Sequence, residues 1–257
     1  MKVDGRWWMD FFNKIYLVTD YRTVCDHNLT RKEVSLLESI LKPGKKDDIL
    51  DICGGYGRHS LEMAKRGYRN LTVLDFSGYM INVGKKIARQ GDLNVKFLKR
   101  DARRSGLKSG KYSFAFIMAN SFGYFPEDRE NLKILAETHR VLKKGGKLLL
   151  DLADPCYVKN MLKPRSWHEA DRDMVVCRER NLKNDFITVR ELVISKSKGL
   201  VRDGRYCEKL YDRGKISELL KTAGFVKPSV RNSVSLGGTK KDYGLMSARM
   251  FVTALKP

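Results

Sequence analysis

The sequence predicts an α/β protein: a doubly wound, seven-stranded mixed sheet with helices on both faces, carrying a small antiparallel insert. Three observations support this fold class. The chain of 257 residues is long enough for one large α/β domain. Short apolar runs alternate with amphipathic stretches as far as Leu152, which is typical of parallel strands buried on both faces. Beyond Leu152 the pattern changes to strands rich in β-branched and charged residues.

The first part of the chain predicts five strands and three helices. Gly54, Gly55 and Gly57 indicate a tight turn between the first strand and the first helix. Ser77 is suited to cap the second helix, and Gly145-Gly146 separates the third helix from the fifth strand. We expect the strands at 47–53, 71–75, 95–98, 112–119 and 147–152, and the helices at 58–66, 77–90 and 126–142.

The later part predicts an antiparallel insert followed by a return to the sheet. Three strands are expected at 174–180, 186–194 and 205–211, with turns at Lys183-Asn184-Asp185 and Asp203-Gly204. Asp212 then caps a helix at 215–222, and strands follow at 226–230 and 250–254. The predicted domains are an N-terminal helical cover at 1–46, a core at 47–154 and 212–257, and the insert at 155–211.

Composition restricts the class of protein and its partners. The chain has 51 basic and 30 acidic residues, a formal net charge of +21, which raises the chance of an anionic partner without identifying one. No apolar run approaches the roughly 18 residues of a membrane helix, and the N-terminal segment lacks the features of a secretory signal. Five cysteines without a CxxC pattern argue against a disulfide framework and a zinc site. We therefore expect a cytoplasmic protein with no bound metal.

The glycine turn and an acid on the next strand predict a binding site for a nucleoside-containing cofactor. A glycine turn before a helix N-terminus lets the backbone approach an anionic or carboxylate group. Asp75 ends the second strand, 18 residues after Gly57, where a carboxylate can accept both hydroxyls of a ribose. A dinucleotide-binding dehydrogenase is disfavoured because Ser60 stands where its fingerprint needs a third glycine.

The segment Asp51-Ile52-Cys53-Gly54-Gly55-Tyr56-Gly57 resembles the first motif of the class I, Rossmann-like S-adenosylmethionine-dependent methyltransferases. The resemblance continues through Val73-Leu74-Asp75-Phe76-Ser77, Lys99-Arg100-Asp101-Ala102 and the Gly145-Gly146 segment. It implies S-adenosylmethionine as cofactor and S-adenosylhomocysteine as product. The implied cofactor-binding residues are Asp51, Cys53, Gly54, Gly55, Asp75, Phe76, Met80, Asp101, Ala102 and Asn120, with Asp75 on the ribose, Phe76, Met80 and Asp101 around the adenine, and Ala119 to Ser121 beside the methyl group.

The implied reaction is in-line methyl transfer to oxygen, nitrogen or carbon of a small molecule. Such a transfer depends largely on the positioning of donor and acceptor, so no catalytic residue is assigned, and His168 and Tyr124 are only candidates. Candidate acceptor contacts are Tyr16, Tyr21, Tyr124, Arg205 and Tyr211. The insert and the N-terminal aromatic residues are expected to cover the site. An anionic acceptor and a homodimer are further expectations.

Two alternatives remain open at this stage. The basic composition is compatible with an RNA methyltransferase, although Asn120-Ser121-Phe122-Gly123-Tyr124 lacks the Asn/Asp-Pro-Pro-Tyr pattern of amino-group methylases. Cys156 follows the fifth strand, but the partner Pro-Cys of carbon-5 methylases is missing, so we expect a buried or idle thiol. The second alternative is a cofactor-binding protein without catalysis.

Overall fold

A seven-stranded mixed sheet forms the centre of the molecule in the computed structural model, which describes residues 2–234 and 244–257. The strands of this sheet are β1 (Asp48–Ile52), β2 (Asn70–Asp75), β3 (Val95–Lys99), β4 (Tyr112–Ile117), β5 (Leu142–Ala153), β10 (Val226–Val234) and β11 (Arg249–Leu255). Their order is β10-β11-β5-β4-β1-β2-β3. Strand β11 runs antiparallel to both of its neighbours, β10 and β5, and the other described pairs of this sheet are parallel, so the predicted mixed sheet is confirmed.

Helices cover both faces of the central sheet. They are α4 (His27–Leu41), α5 (Arg58–Lys65), α6 (Gly78–Gln90), α7 (Asp128–Val141) and α9 (Arg213–Thr222). Leu37 of α4 packs with Ile49 of β1 on one face. Leu135 of α7 and Leu220 of α9 pack with the adjacent Leu50 on the other face. Successive residues of one strand thus pack into two separate apolar layers, which explains why the strands are continuous apolar runs in the sequence.

A second sheet of four antiparallel strands follows the fifth strand of the central sheet. This insert sheet has the order β6-β7-β8-β9. Its strands are β6 (Arg165–Glu169), β7 (Met174–Lys183), β8 (Phe186–Ser195) and β9 (Gly199–Lys209), and it is preceded by a short helix, α8 (Pro155–Met161). The antiparallel insert is as predicted, whereas β6 and α8 were not predicted.

One predicted turn of the insert is wrong. Asn184 has a positive φ of 58° in the turn between β7 and β8, as expected. Asp203 and Gly204, however, lie inside β9, where Gly204 pairs with Glu191. The Asp203 carboxylate accepts hydrogen bonds of 2.9 and 2.7 Å from Arg190 of β8. This cross-strand ion pair keeps an Asp-Gly sequence extended, and the chain reverses instead after Ser195.

Several predicted boundaries also shift. The fourth strand ends at Ile117, not at residue 119, because Ala119 and Asn120 adopt left-handed backbone conformations. The third predicted helix begins at Asp128 instead of Pro126. Ser77 caps α6 as predicted, with its hydroxyl accepting from the Met80 amide at 3.2 Å, and Asp212 caps α9 through the Lys215 amide at 2.8 Å.

The N-terminal part of the chain divides into two units. Residues 2–26, here called the N-terminal cover, contain three short helices, α1 (Trp8–Phe11), α2 (Lys14–Thr19) and α3 (Tyr21–Val24). Helix α4 instead packs on the central sheet through Val34, Leu37 and Leu41, which are at most 1% exposed. Because these side chains contribute to a core layer, α4 belongs structurally to the core and only the residues before it lie over the sheet edge.

No helix in the described parts of the chain is long and apolar enough to cross a membrane.

Candidate functional site

The glycine turn between β1 and α5 brings the chain against the end of β2. Cys53, Gly55 and Gly57 all have positive φ angles, of 54°, 57° and 76°. A Cβ on Gly57 would lie 2.9 Å from side-chain atoms of both Val73 and Phe97, so this position needs glycine for space as well as for conformation. Cys53 adopts a left-handed conformation that usually favours glycine, and desolvation raises the pKa of its partly buried thiol.

Asp75 connects the glycine turn to the start of α6. Its Oδ2 accepts a 2.8 Å hydrogen bond from the Gly55 amide, and its Oδ1 accepts one of 2.8 Å from the Ser77 amide. Burial raises the pKa of Asp75 even though these amides favour the carboxylate. Since each carboxylate oxygen can accept two hydrogen bonds, one acceptor position per oxygen is left for a diol.

Two adjoining cavities open at the carboxyl ends of β1, β2 and β4, and they share part of their walls. Phe12, Cys53, Asp75, Ser121 and Tyr124 line both. The first cavity is further lined by Tyr16, Val24, Asp51, Gly54, Gly55, Tyr56, Arg58, His59, Met80, Met118 and Ala119. The second is further lined by Trp8, Leu74, Phe76, Ser77, Arg100, Asp101, Ala102, Gly123, Phe125 and Ile134. Asp75 therefore lies at the junction of the two cavities.

Asp51 presents a carboxylate oxygen with unused acceptor capacity to the first cavity. Its Oδ2 accepts a 2.9 Å hydrogen bond from the Ser60 hydroxyl. Its Oδ1 is buried and has no hydrogen-bond partner among the described residues. Burial raises the pKa of Asp51 to about 7. A buried polar atom without a partner is uncommon and points to a ligand group that would satisfy it.

The candidate adenine residues are divided between the cavities. Phe76, Asp101 and Ala102 line the second cavity. Met80 lines the first cavity instead, because the first turn of α6 directs it toward Gly55, whose added Cβ would lie 3.9 Å from the Met80 methyl carbon. Asp101 is already paired with Arg103, whose Nη2 lies 2.7 Å from its Oδ2, and this pairing holds the pKa of Asp101 below its usual value despite desolvation.

Asn120, the last of the cofactor candidates, lies beside the first cavity and not in its lining. Its side-chain amide donates to Glu208 of β9, and its Oδ1 accepts a 2.9 Å hydrogen bond from the Ala153 amide. The lining at this point comes from its neighbours Ala119 and Ser121. The side chain thus connects β4, β5 and the insert sheet.

The acceptor candidates lie in several different places. Tyr16 and Tyr124 line the first cavity, and burial raises the pKa of both hydroxyls. Tyr21 is 59% exposed. Arg205 lines an outer groove with Lys2 and Asp4. Tyr211 is in the core, with its hydroxyl 2.7 Å from Asp128 Oδ1 and 2.9 Å from Asn131 Nδ2. The structure therefore brings only two of these five to the cavities.

His168, the other catalytic candidate, lies on β6 outside both linings. Its Nε2 is 3.2 Å from the Thr19 carbonyl oxygen of the N-terminal cover, and partial burial lowers its pKa. Cys156 is exposed at the start of α8. Neither His168 nor Cys156 lines the cavities.

The cavities are covered by the N-terminal cover and not directly by the insert sheet. Trp8 contacts Phe76 edge-on at 4.6 Å between ring centroids, and Phe12 stacks on Tyr124 at 5.6 Å. The Ser77 hydroxyl donates to the Phe12 carbonyl at 2.6 Å. None of the described residues of 155–211 lines either cavity. The insert sheet instead supports the cover from behind, where Tyr206 packs on Trp7 and Phe11.

Sequence reasoning missed Arg58 as a lining residue. It is the first residue of α5, 8% exposed, and its Nη1 donates to Thr30 at 2.9 Å and to Glu33. Burial, followed by the charge of Arg58, lowers the pKa of the adjacent His59 to about 4. The position of Arg58 directly after the glycine turn is the signal that could have identified it.

Comparisons with known proteins agree with this architecture. Residues 49–146 match the family described as "Methyltransferase domain". The chain is 31% identical over 121 residues to the ubiquinone/menaquinone biosynthesis C-methyltransferase UbiE of Rhizobium meliloti, covering 45% of each chain. It is 30% identical over 133 residues to the demethylmenaquinone methyltransferase of Listeria welshimeri, covering 50% of this chain and 53% of the relative. The chain therefore spans about half the length of the curated relatives it matches.

Solved structures extend the likeness in fold to the whole chain. An S-adenosylmethionine-dependent methyltransferase from Clostridium acetobutylicum superimposes with a TM-score of 0.67 at 15% identity, over 99% of this chain and 93% of that one. The amino pentose methyltransferase CalS10 of Micromonospora echinaspora, solved with bound S-adenosylmethionine, gives 0.67 at 15% identity, over 94% and 96%. The predicted fold class is confirmed, and the alternatives gain no support. Residues 49–146 thus match a methyltransferase domain, and the chain as a whole has the fold of these solved methyltransferases.

Proposed function

We propose that this protein is an S-adenosylmethionine-dependent methyltransferase that acts on a small molecule. The observation that carries the proposal is the presence of a buried carboxylate, Asp51, and a partly buried one, Asp75, in the walls of two adjoining cavities. Asp51 has an oxygen without a partner among the described residues, and Asp75 has one acceptor position left on each oxygen. An ammonium group and a ribose diol, both present in S-adenosylmethionine, satisfy these two needs.

The residues of the two cavities fit the parts of this cofactor. We assign the ribose to Asp75, which lines both cavities, and the ammonium group of the methionine moiety to Asp51. Arg58 in the first cavity supplies a positive charge for the methionine carboxylate. The adenine is assigned to the second cavity, where Phe76 and Ala102 offer apolar surface and Asp101 an acceptor. When bound, the cofactor supplies an electrophilic methyl group.

The acceptor is assigned to the part of the first cavity between Tyr16 and Tyr124. Both rings and the N-terminal cover exclude water from this region, which favours displacement between positioned reactants. Matches to methyltransferases named for ubiquinone/menaquinone biosynthesis and demethylmenaquinone support an acceptor that is a small molecule. The acceptor atom is left open.

Binding and transfer are tested separately. Calorimetry with S-adenosylhomocysteine is expected to give a dissociation constant in the micromolar range, about 8 kcal/mol. Incubation of the protein with a metabolite extract and isotopically labelled S-adenosylmethionine, followed by mass spectrometry, is expected to label one class of small molecule. Absence of nucleoside binding contradicts the cofactor, whereas binding with labelled RNA and no labelled metabolite contradicts the acceptor.

The proposal includes three further expectations from the sequence, namely a cytoplasmic location, an anionic acceptor and a homodimer. A cytoplasmic location is supported by five cysteines that are all unpaired. An anionic acceptor requires a cation besides Arg58, since Arg205 faces a separate outer groove. Sedimentation of the purified protein tests the homodimer.

A further inference from the structure

A strained loop follows β4 at the wall of the first cavity. Ala119 and Asn120 have φ angles of 54° and 57°, so two consecutive residues with side chains adopt the left-handed conformation. This conformation is unfavourable for alanine because of its Cβ, and such strain persists only where the surroundings over-determine it. Ala119 and the following Ser121 both line the first cavity.

Asp151 of β5 holds this loop by two hydrogen bonds. Its Oδ2 accepts from the Ala119 amide at 2.7 Å, and its carbonyl oxygen accepts from the Asn120 amide at 2.9 Å. The Asn120 side chain adds its own bond from the Ala153 amide. The strained backbone is therefore held in part by a carboxylate that is itself 0% exposed.

Arg249 of β11 fixes that carboxylate from the opposite side. Its Nε donates to Asp151 Oδ1 at 2.8 Å, and its Nη2 donates to Asp151 Oδ2. Its Nη1 donates to Glu33 of α4, which also binds Arg58 and His59 of the first cavity. Burial opposes the charge of Glu33, but these cationic and imidazole partners hold its pKa well below the usual value. One buried network of hydrogen bonds and ion pairs thus joins α4, α5 and the loop after β4.

We propose that Asp151 and Arg249 are positioning residues that hold Ala119 and Asn120 in the left-handed conformation needed to bind the cofactor. A buried carboxylate fixed by a two-pronged guanidinium contact has little freedom to move. The Ala119 amide that it binds is consequently fixed as well. This inference rests on the proposed function, because the loop acts only through a ligand in the first cavity.

The test compares Asp151→Asn with the same variant carrying Ala119→Gly. The asparagine side chain has one acceptor oxygen, whereas Ala119 and Arg249 donate to both oxygens of the Asp151 carboxylate. The variant cannot accept all of these hydrogen bonds, so the loop should leave its strained conformation. We expect the S-adenosylhomocysteine affinity of Asp151→Asn to fall at least tenfold by calorimetry, at a temperature where circular dichroism shows the variant folded. Glycine adopts the left-handed conformation without this strain, so Ala119→Gly should restore the affinity to within about threefold of the parent.

A matched control separates positioning from general stabilisation. Lys42 also has a positive φ, of 53°, at the end of α4 and away from both cavities, so Lys42→Gly should not restore the affinity of Asp151→Asn. If Asp151→Asn does not fold, Arg249→Lys, which keeps the charge but loses the two-pronged contact, replaces it with the same expectations.

The outcomes distinguish this inference from the proposed function. Failure of the parent protein to bind S-adenosylhomocysteine overturns the proposed function. A parent that binds, together with an unchanged affinity in the folded variant, overturns the positioning role. Equal restoration by Lys42→Gly and Ala119→Gly also overturns it, since the effect would then be one of stability alone.

Discussion

At the scale of single residues, Asp51 links the proposed cofactor site to pH. Its pKa is raised by burial to about 7, and only the ionised form attracts an ammonium group. We expect the affinity for S-adenosylhomocysteine to fall as the pH decreases below about 7, approaching roughly tenfold per pH unit. Asp51→Asn should bind more weakly at pH 8 and lose this dependence. Calorimetry between pH 6 and 8 measures both, and a parent affinity that is constant over this range would contradict the role of Asp51.

The same carboxylate should also affect stability, with a defined sign. Because the pKa of Asp51 is higher in the folded protein than its ordinary value of 3.8, the folded state binds the proton more tightly. The stabilisation of the folded state by this proton is fully present below pH 3.8, the ordinary pKa of the group, and is lost as the pH rises through about 7. Burial raises the pKa of Glu208 to about 7 as well, so the difference between parent and Asp51→Asn isolates the contribution of Asp51.

Asp75 gives a second prediction at the residue scale. Asp75→Ala removes a charged acceptor from the proposed ribose site, so we expect a loss of roughly 1.5 to 3 kcal/mol in the free energy of cofactor binding. Asp48→Ala is the control, because Asp48 lies at the other end of β1 and pairs with Lys143 at 3.2 Å. Calorimetry that finds the same affinity for both variants would refute the assignment of Asp75.

At the scale of elements, Gly57 determines how closely α5 approaches the sheet. Gly57 and Gly67 both have positive φ, but a Cβ on Gly57 would meet Val73 and Phe97 at 2.9 Å, whereas a Cβ on Gly67 meets nothing within 4 Å. We expect Gly67→Ala to cost about 1 kcal/mol of unfolding free energy from conformation alone. Gly57→Ala should cost about 1 to 3 kcal/mol more, because the packed side chains must move. Urea denaturation measures the unfolding free energy of both variants, and equal losses in the two would contradict the packing argument.

At the scale of the whole molecule, buried charges join the N-terminal cover to the insert sheet. Arg178 of β7 donates to Asp20 of the cover at 2.8 Å and to Glu191 of β8 at 2.8 Å. Glu191 is 0% exposed, so Arg178→Met leaves a buried carboxylate with a weaker set of partners. We expect a loss of about 3 kcal/mol in unfolding free energy.

Arg190→Met is the control for this prediction. Arg190 also pairs across the insert sheet, with Asp203, but its side chain is 39% exposed, and exposed pairs contribute at most about 1 kcal/mol. Similar midpoints of urea denaturation for Arg178→Met and Arg190→Met would show that the cover and the insert sheet are not joined through Arg178.

Local chemistry made much of the fold and part of the site predictable. The glycine turn and the helix caps Ser77 and Asp212 depend on residues a few positions apart, and each lies where the sequence predicts it, as does Asp75 at the end of β2. The apolar strands were equally readable because both of their faces are buried.

What only the tertiary structure decided involves residues far apart in the chain. Glu33, Asp151 and Arg249 have no shared motif, yet 98 and 216 positions separate Arg249 from its two carboxylate partners. Met80 lies in the first cavity and Tyr211 in the core because of how whole elements pack. Asp203-Gly204 stays extended because a neighbouring strand supplies Arg190. The sequence by itself determined the strands and helices of the central sheet and the glycine turn, since short-range geometry fixes them. Packing decided where the N-terminal cover lies and which charges form the buried network, since both depend on contacts that exist only after the elements have assembled.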